Sequence, residues 1–261
     1  MSRELAFALA TAREAGAVTL GYFGSEHLGL ERKADGSPVT RADREAEHLL
    51  VERIRATFPD DGILGEETGE TPGRSGRRWI LDPVDGTKSF VHGVPLYGTL
   101  VALEAEGAAV LGVVHLPALR ETYFAARGEG AWWARELGGQ ESTRAARVSA
   151  VDRLDGALLC TTSRRGFDRV GCAGFYERLR ARVGSERGWG DCYGHMLVAT
   201  GRAEIMVDPV VAIWDCAALQ PILEEAGGRF VDLSGARTHR GGSAISTNLA
   251  LADEVLALVR H

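Results

Sequence analysis

The stretch that organises this chain is Trp79-Ile80-Leu81-Asp82-Pro83-Val84-Asp85-Gly86-Thr87-Lys88-Ser89-Phe90. Its first three residues predict a buried strand, and Asp82 is expected to end that strand because Pro83 fixes φ and breaks the ladder. Asp85 comes shortly after, and Gly86-Thr87 offers free backbone N–H groups. Two carboxylates beside such a turn suit a divalent cation and a phosphate group. An ordinary aspartate-rich turn that solvates a strand end would have the same sequence.

The composition is that of an ordinary globular protein. Of the 261 residues, 45% are hydrophobic and 25% are charged, and this length allows one large domain or two of moderate size. The net charge is −6 and no basic tract stands out, so nucleic-acid binding has little electrostatic support. An acidic protein that handles a phosphate ester needs local positive charge, and bound cations are one source.

The cysteines and the apolar stretches indicate the cellular compartment in which the protein is expected. None of the cysteines forms a C-x-x-C pair, which excludes zinc-ribbon spacing and favours buried thiols in a reducing cytoplasm. The N-terminus leads into an amphipathic pattern, so no signal peptide is expected. Residues 95–119 are interrupted by acids, so no membrane span and no membrane partner are expected. The cysteines are Cys160, Cys172, Cys192 and Cys216.

The first half of the chain predicts an α+β arrangement. Residues 5–23 and the run that begins at Thr40 show helical spacing, and Thr40 with Asp43 suits a helix start. A short strand is predicted over residues 28–33, followed by a turn over 34–38. Between residues 96 and 133 the pattern is that of antiparallel strands, with a hairpin around residues 104–107.

The polar run over residues 138–143 is interpreted as a linker between two domains. It divides the chain into residues 1–140, which would carry most of the metal ligands, and residues 141–261, which would carry Asp215. In the second half strands and helices alternate, which favours an α/β arrangement and a mixed α/β (α+β) protein overall. One of its helices is predicted to begin at Trp214-Asp215 and to run to residue 226.

Two further acidic sites stand out by their context, and both have a structural explanation. Glu66-Glu67 ends a short apolar run and would also suit a solvated loop. Asp215 follows Trp214 at a predicted helix start, where an acid caps the helix or interacts with its dipole. Asp43 has the same structural role in the first turn of its helix. Spacing alone does not show that these acids converge.

The order of three motifs along the chain resembles that of the inositol monophosphatase family. The motifs are Gly65-Glu66-Glu67, the 79–90 stretch, and Trp214-Asp215 with residues 225–228 (Glu-Ala-Gly-Gly). The resemblance covers nearly the whole chain. It implies a layered αβαβα sandwich of the inositol monophosphatase/fructose-1,6-bisphosphatase type, a homodimer, and Mg²⁺-dependent hydrolysis of a small phosphate monoester with two or three ions in each site.

The resemblance also implies roles for individual residues. Water would be activated with help from Glu66, Thr87 and Asp43, and Gly86 and Thr87 would hold the phosphate through their N–H groups. Lys33 lies where the family carries a lysine near the metal water, in a looser local motif. The implied metal ligands are Glu66, Asp82, the Val84 carbonyl, Asp85, Asp215 and, for a weaker ion, Asp43.

The run over residues 186–195 bears on the substrate. Its Trp-Gly-Asp-Cys-Tyr-Gly segment looks closer to the histidinol-phosphate phosphatase branch of that family. Histidinol carries an ammonium and an imidazole, which acids such as Asp191 and Asp208 would bind. Asp191 would also suit a helix cap, and Trp189 a core position. The full substrate-binding set is Asp85, Gly86, Thr87, Arg187, Trp189, Asp191, Asp208 and Asp215.

Two other functions stay open on the sequence. One is a broader inositol or sugar monophosphatase, and the other is a non-catalytic member associated with RNA-processing complexes, which the acidic charge disfavours. His92 and His195 are interpreted as packed or exposed histidines and not as ligands. No Gly-x-Ser-x-Gly elbow or His-Glu-x-x-His pattern suggests another hydrolase.

Overall fold

A computed structural model of the chain describes residues 1–34 and 36–259. The helices within this part are α1 (Arg3–Tyr22), α2 (Arg41–Thr57), α3 (Thr87–Val91), α4 (Arg164–Arg169), α5 (Ala173–Arg180), α6 (Asp191–Ala199), α7 (Ile213–Ala217), α8 (Leu219–Glu225) and α9 (Leu249–Val259). The strands are β1 (Glu31–Arg32), β2 (Pro38–Val39), β3 (Gly62–Gly65), β4 (Gly69–Thr71), β5 (Arg77–Asp85), β6 (Gly98–Ala105), β7 (Ala108–Leu116), β8 (Glu121–Ala126), β9 (Gly130–Leu137), β10 (Gln140–Ala145), β11 (Leu158–Cys160), β12 (Ser185–Arg187), β13 (Ile205–Asp208), β14 (Gly228–Val231) and β15 (Ala244–Asn248).

The strands form two large sheets and one small hairpin. The larger sheet has eight strands in the order β10-β9-β8-β7-β6-β5-β3-β4, and all its pairs except β3 with β5 are antiparallel. The second sheet has five strands in the order β12-β11-β13-β15-β14, with β12, β11 and β13 parallel. The β1–β2 hairpin stands apart from both.

Helices cover the sheets in alternating layers. Helices α1 and α2 pack on one face of the eight-stranded sheet, around Leu50 and Trp79. Helices α6 and α8 lie between the two sheets, with Met196 and Leu223 in a shared apolar cluster. Helices α4, α5 and α9 cover the outer face of the second sheet, around Phe175. These layers confirm the predicted mixed α/β sandwich, since each amphipathic face is buried against its neighbour.

Helix α2 begins where the sequence predicts it. Thr40 caps the helix, and the Asp43 side chain accepts a hydrogen bond from the Thr40 backbone N–H, which completes a capping box. Such reciprocal bonds satisfy the free N–H groups of the first turn. The expected structural role of Asp43 is therefore confirmed.

The prediction that strand β5 ends at Asp82 was wrong. The strand continues to Asp85, and the pairing with β6 shifts register between these two aspartates. A bulge tolerates Pro83, which has no N–H to donate, and the Pro83 carbonyl accepts a hydrogen bond from the Thr99 hydroxyl at 2.9 Å. Gly86 then turns the chain into α3 with a φ of 84°.

The polar run over residues 138–143 is not a linker. Gly138 and Gly139, with φ of 60° and 79°, form the turn of a hairpin, and β10 pairs with β9 as an exposed edge strand. Polar residues occur here because the strand faces solvent. The chain leaves the first sheet after Ala145, and the division into two domains at residue 140 stays a prediction.

Other differences from the predicted elements are local. The helix predicted from Trp214 to residue 226 is divided into α7 and α8 at Ala218, because Pro221 offers no N–H to the Ala217 carbonyl. The predicted strand over 28–33 shortens to β1, and the turn over 34–38 includes Asp35, which lies outside the described residues. No helix of the described residues has the length and apolarity to cross a bilayer.

Candidate active site

Three carboxylates meet at the C-terminal end of β5. Asp82 and Asp85 lie on either side of the bulge, and Asp215 stands in the short helix α7. One carboxylate oxygen from each lies within 4.8 Å of the others. We call these residues the aspartate cluster. The bulge matters because it allows the carboxylates of two strand residues three apart to face the same space.

The aspartate cluster is electrostatically crowded. Burial raises the pKa values of Asp82 and Asp85 well above their usual range, and the charges of neighbouring acids add to the effect. Burial likewise raises the pKa of Asp215 to about 6, although its carboxylate accepts a hydrogen bond from the Ala212 N–H at 2.8 Å. Among the described residues, no salt bridge reaches any of the three. The cluster therefore has a surplus of negative charge that an external cation would compensate.

Glu66 follows strand β3, beside the cluster. Its N–H donates to the Leu81 carbonyl at 3.2 Å, which places it next to the strand that carries Asp82. Lys33 bridges the carboxylates of Glu66 and Glu67 at 2.6 and 2.5 Å. Burial disfavours the charged ammonium, but the two acids outweigh burial and raise the pKa of Lys33. Glu66 is thus held near the cluster by a cation from the chain itself.

Glu47 anchors the turn that presents Glu66. It is fully buried, and its carboxylate accepts hydrogen bonds from the N–H groups of Glu67 and Thr68 at 3.0 and 2.6 Å. Sequence reasoning did not single out Glu47. Its spacing of four residues from Asp43 on α2 places both acids on one helix face, which was the available signal.

Asp43 is close enough to influence the cluster. It is buried, and burial raises its pKa to about 6 against the hydrogen bonds from Thr40. Its charge in turn contributes to the raised pKa of Asp82. The helix-capping role and a position beside the acids therefore coexist in one residue.

The turn after Asp85 is tightly constrained. The Thr87 hydroxyl donates to the Val84 carbonyl at 3.0 Å, and the Val84 N–H donates to Asp82 at 3.0 Å. A Cβ at Gly86 would lie 3.1 Å from the Asp191 carboxylate, so Asp191 packs directly against this turn. The turn predicted to hold phosphate therefore adjoins a residue predicted to hold the alcohol.

A small cavity of about 70 Å³ extends from the cluster toward helix α6. Asp85 and Asp215 line its cluster side, and Asp191 and Asp208 line the other side. We call these last two the Asp191–Asp208 pair. Burial raises the pKa of Asp191 to about 7, and the charge of Asp208 adds to this shift. The structure thus brings two acids of the cluster and the Asp191–Asp208 pair into one cavity.

Arg187 and Trp189 lie outside the lining of this cavity. Both side chains are exposed, with the Arg187 guanidinium 6.0 Å from the centre of the Trp189 ring. The core position considered for Trp189 was wrong, since the ring is 40% exposed. Contact of either residue with a substrate stays a prediction.

Thr162 and His195 line the cavity, but sequence reasoning did not select them. Of the two positions expected for His195, packed or exposed, the structure shows the packed one, with the side chain buried at the cavity wall. Its spacing of four residues from Asp191 predicts that both face the same way from a helix. Thr162 follows the short strand β11, and no sequence signal marks it.

The donor set of the cluster fits a hard divalent cation. Carboxylate oxygens are the ligands that such ions prefer, and two or more acids at one point are tolerated when a cation sits between them. The raised pKa values of the cluster have the same origin, namely buried negative charges that lack a counter-charge. The cluster can hold a metal ion.

Comparison with known proteins agrees with this arrangement. The model of the inositol monophosphatase family matches residues 1–261. The chain is 46% identical to the histidinol-phosphatase of Chlorobaculum parvum over 260 residues, which cover 99% of this chain and 97% of that protein. It is 42% identical to the histidinol-phosphatase of Mycobacterium tuberculosis, over 97% and 96% of the two chains.

A solved structure with the same fold is the IMPase of Thermotoga maritima. It superposes with a TM-score of 0.84 at 33% identity and covers 99% of this chain and 97% of that one. Motif order, layered fold and clustered acids therefore lead to one conclusion: this chain belongs to the inositol monophosphatase family.

Proposed function

We propose that this protein is a Mg²⁺-dependent phosphomonoesterase whose substrate is L-histidinol phosphate. The observation that carries the proposal is the meeting of two groups of acids in one cavity. The aspartate cluster suits metal ions, and the Asp191–Asp208 pair suits an alcohol that is itself a cation. The histidinol-phosphatases at 46% and 42% identity support the same substrate.

The metal ions would be held by residues of both halves of the chain. Glu66, Asp82, Asp85, Asp215 and the Val84 carbonyl would hold two or three Mg²⁺ ions, with Asp43 near the weakest. When bound, these ions neutralise the phosphate dianion and make water more acidic.

The phosphate and the attacking water would be held at the turn after Asp85. The N–H groups of Gly86 and Thr87 would bind phosphate oxygens, as free N–H groups at a helix start do. The Thr87 hydroxyl, now bonded to the Val84 carbonyl, and Glu66 would orient the water. The water oxygen would form a bond to phosphorus as the ester P–O bond breaks, and the proton that the water gives up would be taken up by the leaving alkoxide to give the alcohol.

The experiment compares substrates on the full-length protein with Mg²⁺. We expect kcat/KM for L-histidinol phosphate to exceed that for inositol 1-phosphate by about 10²-fold, because a neutral polyol leaves the Asp191–Asp208 pair without a counter-charge. Equal or faster hydrolysis of inositol 1-phosphate would overturn the choice of substrate in favour of a broader phosphatase. Full activity after chelation with EDTA would overturn the metal dependence, and absence of all hydrolysis would favour the non-catalytic alternative.

We also propose a cytoplasmic homodimer that acts on a small molecule, without nucleic-acid or membrane partners. The net charge of −6 supports the absence of nucleic acid. A solution mass of twice the chain mass by light scattering is the expected result, and a monomer would contradict it.

A further inference from the structure

We propose that His195, Ser246 and Thr162 are positioning residues that fix the Asp191–Asp208 pair as a binding site for the cationic part of the substrate. The inference rests on the proposed function, since it assumes a substrate alcohol with positive charge. It concerns residues that do not touch the reacting phosphate and act through the two carboxylates.

His195 is the centre of a buried chain of polar groups. Its side chain is 1% exposed, Nδ1 lies 2.7 Å from the Ser246 hydroxyl, and Nε2 lies 3.4 Å from the Asp208 carboxylate. Nε2 makes no hydrogen bond within the described part of the chain. A buried imidazole nitrogen with no bonding partner of its own, at the wall of the cavity, needs a physical reason.

The fold brings the side chains of Asp208, Ser246 and His195 together on one face of the five-stranded sheet. Asp208 ends β13, and Met206 on the same strand pairs with Ser246 on β15. Because side chains alternate along a strand, Met206, Asp208 and Ser246 face the same side of the sheet. Helix α6 covers that side and presents His195 to both strands.

The Ser246 hydroxyl can select which imidazole nitrogen carries the proton. The Ser246 side chain is fully buried, and His195 Nδ1 lies at hydrogen-bonding distance from its hydroxyl. If the hydroxyl donates to Nδ1, the neutral ring carries its proton on Nε2 and directs N–H toward the Asp208 carboxylate. The opposite tautomer would direct a lone pair at a carboxylate, which is repulsive. In that tautomer the Nε2–H faces the Asp208 carboxylate 3.4 Å away.

Thr162 connects the two acids. Its N–H donates to the Asp208 carboxylate at 3.1 Å, and its hydroxyl oxygen accepts the Asp191 N–H at 2.7 Å. Asp191 has a φ of 52°, a conformation that L-residues adopt only when neighbouring bonds stabilise it. A Cβ at Gly190 would lie 2.4 Å from the Thr162 hydroxyl, so the close approach requires glycine there. One residue thus holds the Asp208 carboxylate through its backbone N–H and the Asp191 backbone through its hydroxyl.

The chemistry that fits between them is a cation. With metal ions on Asp85 and Asp215, the uncompensated acids lining the cavity are Asp191 and Asp208. The charge of Lys88 acts on Asp191, but no salt bridge joins the two in the described part of the chain. A substrate ammonium or imidazolium would remove the cost of two buried like charges, whereas a neutral alcohol would not.

The test compares the Ser246→Ala variant with the wild type. KM and kcat are measured with Mg²⁺ for two substrates, L-histidinol phosphate and glycerol 2-phosphate. We expect KM for L-histidinol phosphate to rise about tenfold with kcat nearly kept, because one oriented hydrogen bond is lost. KM for glycerol 2-phosphate should rise much less. Ser243→Ala is the matched control, because Ser243 is buried in the same segment and bonds to the Leu233 N–H.

A second pair of variants covers the case in which Ser246→Ala does not fold. Thr162→Val removes the hydroxyl that holds Asp191, and Thr162→Ser keeps it, so only the first should lose the preference. A wild-type enzyme without the preference would overturn the proposed function and this inference with it. A wild-type preference that survives in both Ser246→Ala and Thr162→Val would overturn this inference alone.

Discussion

The aspartate cluster and the Asp191–Asp208 pair are both groups of buried acids, yet the protein treats them differently. The cluster acids lie within 4.8 Å of one another without a salt bridge among the described residues. In the pair, Asp208 is held by the Thr162 N–H and lies beside the His195 imidazole. The cluster therefore depends on ions from outside, whereas the pair is built by the chain and lacks only the charge of a substrate.

The largest expected effect separates these two roles directly. Asp82→Asn should lower kcat/KM by about 10³-fold, comparable to the removal of a principal electrostatic group in a site. The fold should persist, since the amide oxygen can still accept the Val84 N–H. Activity assays with Mg²⁺ titration give the result.

Asp152→Asn is the control for this change, because Asp152 is exposed and does not line the cavity. Activity of Asp82→Asn within tenfold of the wild type would mean that the cluster is not the metal site. The comparison between the two acid groups would then fail.

The next effect concerns stability without metal. The pKa of Asp215 is raised to about 6 and that of Asp191 to about 7. An acid whose pKa is higher in the folded than in the unfolded state stabilises the protein at any pH below the pKa of the unfolded state. This stability is lost as the pH rises through the pKa of the folded state. The metal-free protein should therefore lose stability between about pH 4 and pH 7.

Asp215→Asn should remove part of this loss. We expect the melting temperature in EDTA to fall less between about pH 4 and pH 8 than in the wild type, by a few degrees, which corresponds to on the order of 2 kcal/mol. Asp152→Asn should follow the wild type. Identical pH profiles for Asp215→Asn and the wild type would show that crowding in the cluster does not limit stability.

The smallest effect tests the contact between the two groups of acids. Gly86→Ala should cost about 1–2 kcal/mol of stability from its φ of 84°, and should also displace Asp191, which would lie 3.1 Å from the new Cβ. We expect kcat/KM for L-histidinol phosphate to fall about tenfold beyond the stability effect.

Gly107→Ala is the matched control for backbone strain. Its φ is 77°, and no neighbouring atom lies within 4 Å of an added Cβ. Gly86→Ala should lose at least as much stability as Gly107→Ala, as measured by urea denaturation, because its Cβ would also lie 3.1 Å from the Leu96 carbonyl oxygen. Equal kinetics for the two would show that the position of Asp191 does not depend on the turn.

Local patterns predicted those parts of the molecule whose causes are local. The cap of α2 at Thr40 and the hairpin between β6 and β7 depend on neighbouring residues, and both were predicted. The prediction of a linker over residues 138–143 was wrong, because a polar composition fits a linker and an exposed edge strand equally well. The prediction that β5 ends at Asp82 was wrong, because the bulge at Pro83 depends on the partner strand β6.

The sequence by itself determined the acids, their order along the chain and their family motifs, because these are properties of residue identity and spacing. Only the tertiary structure decided which side chains complete the pair. His195 and Ser246 are 51 residues apart, and Thr162 is 46 residues from Asp208. No local pattern sets such distances, because they follow from the packing of α6 on the five-stranded sheet, which buries each polar group where one specific partner can reach it.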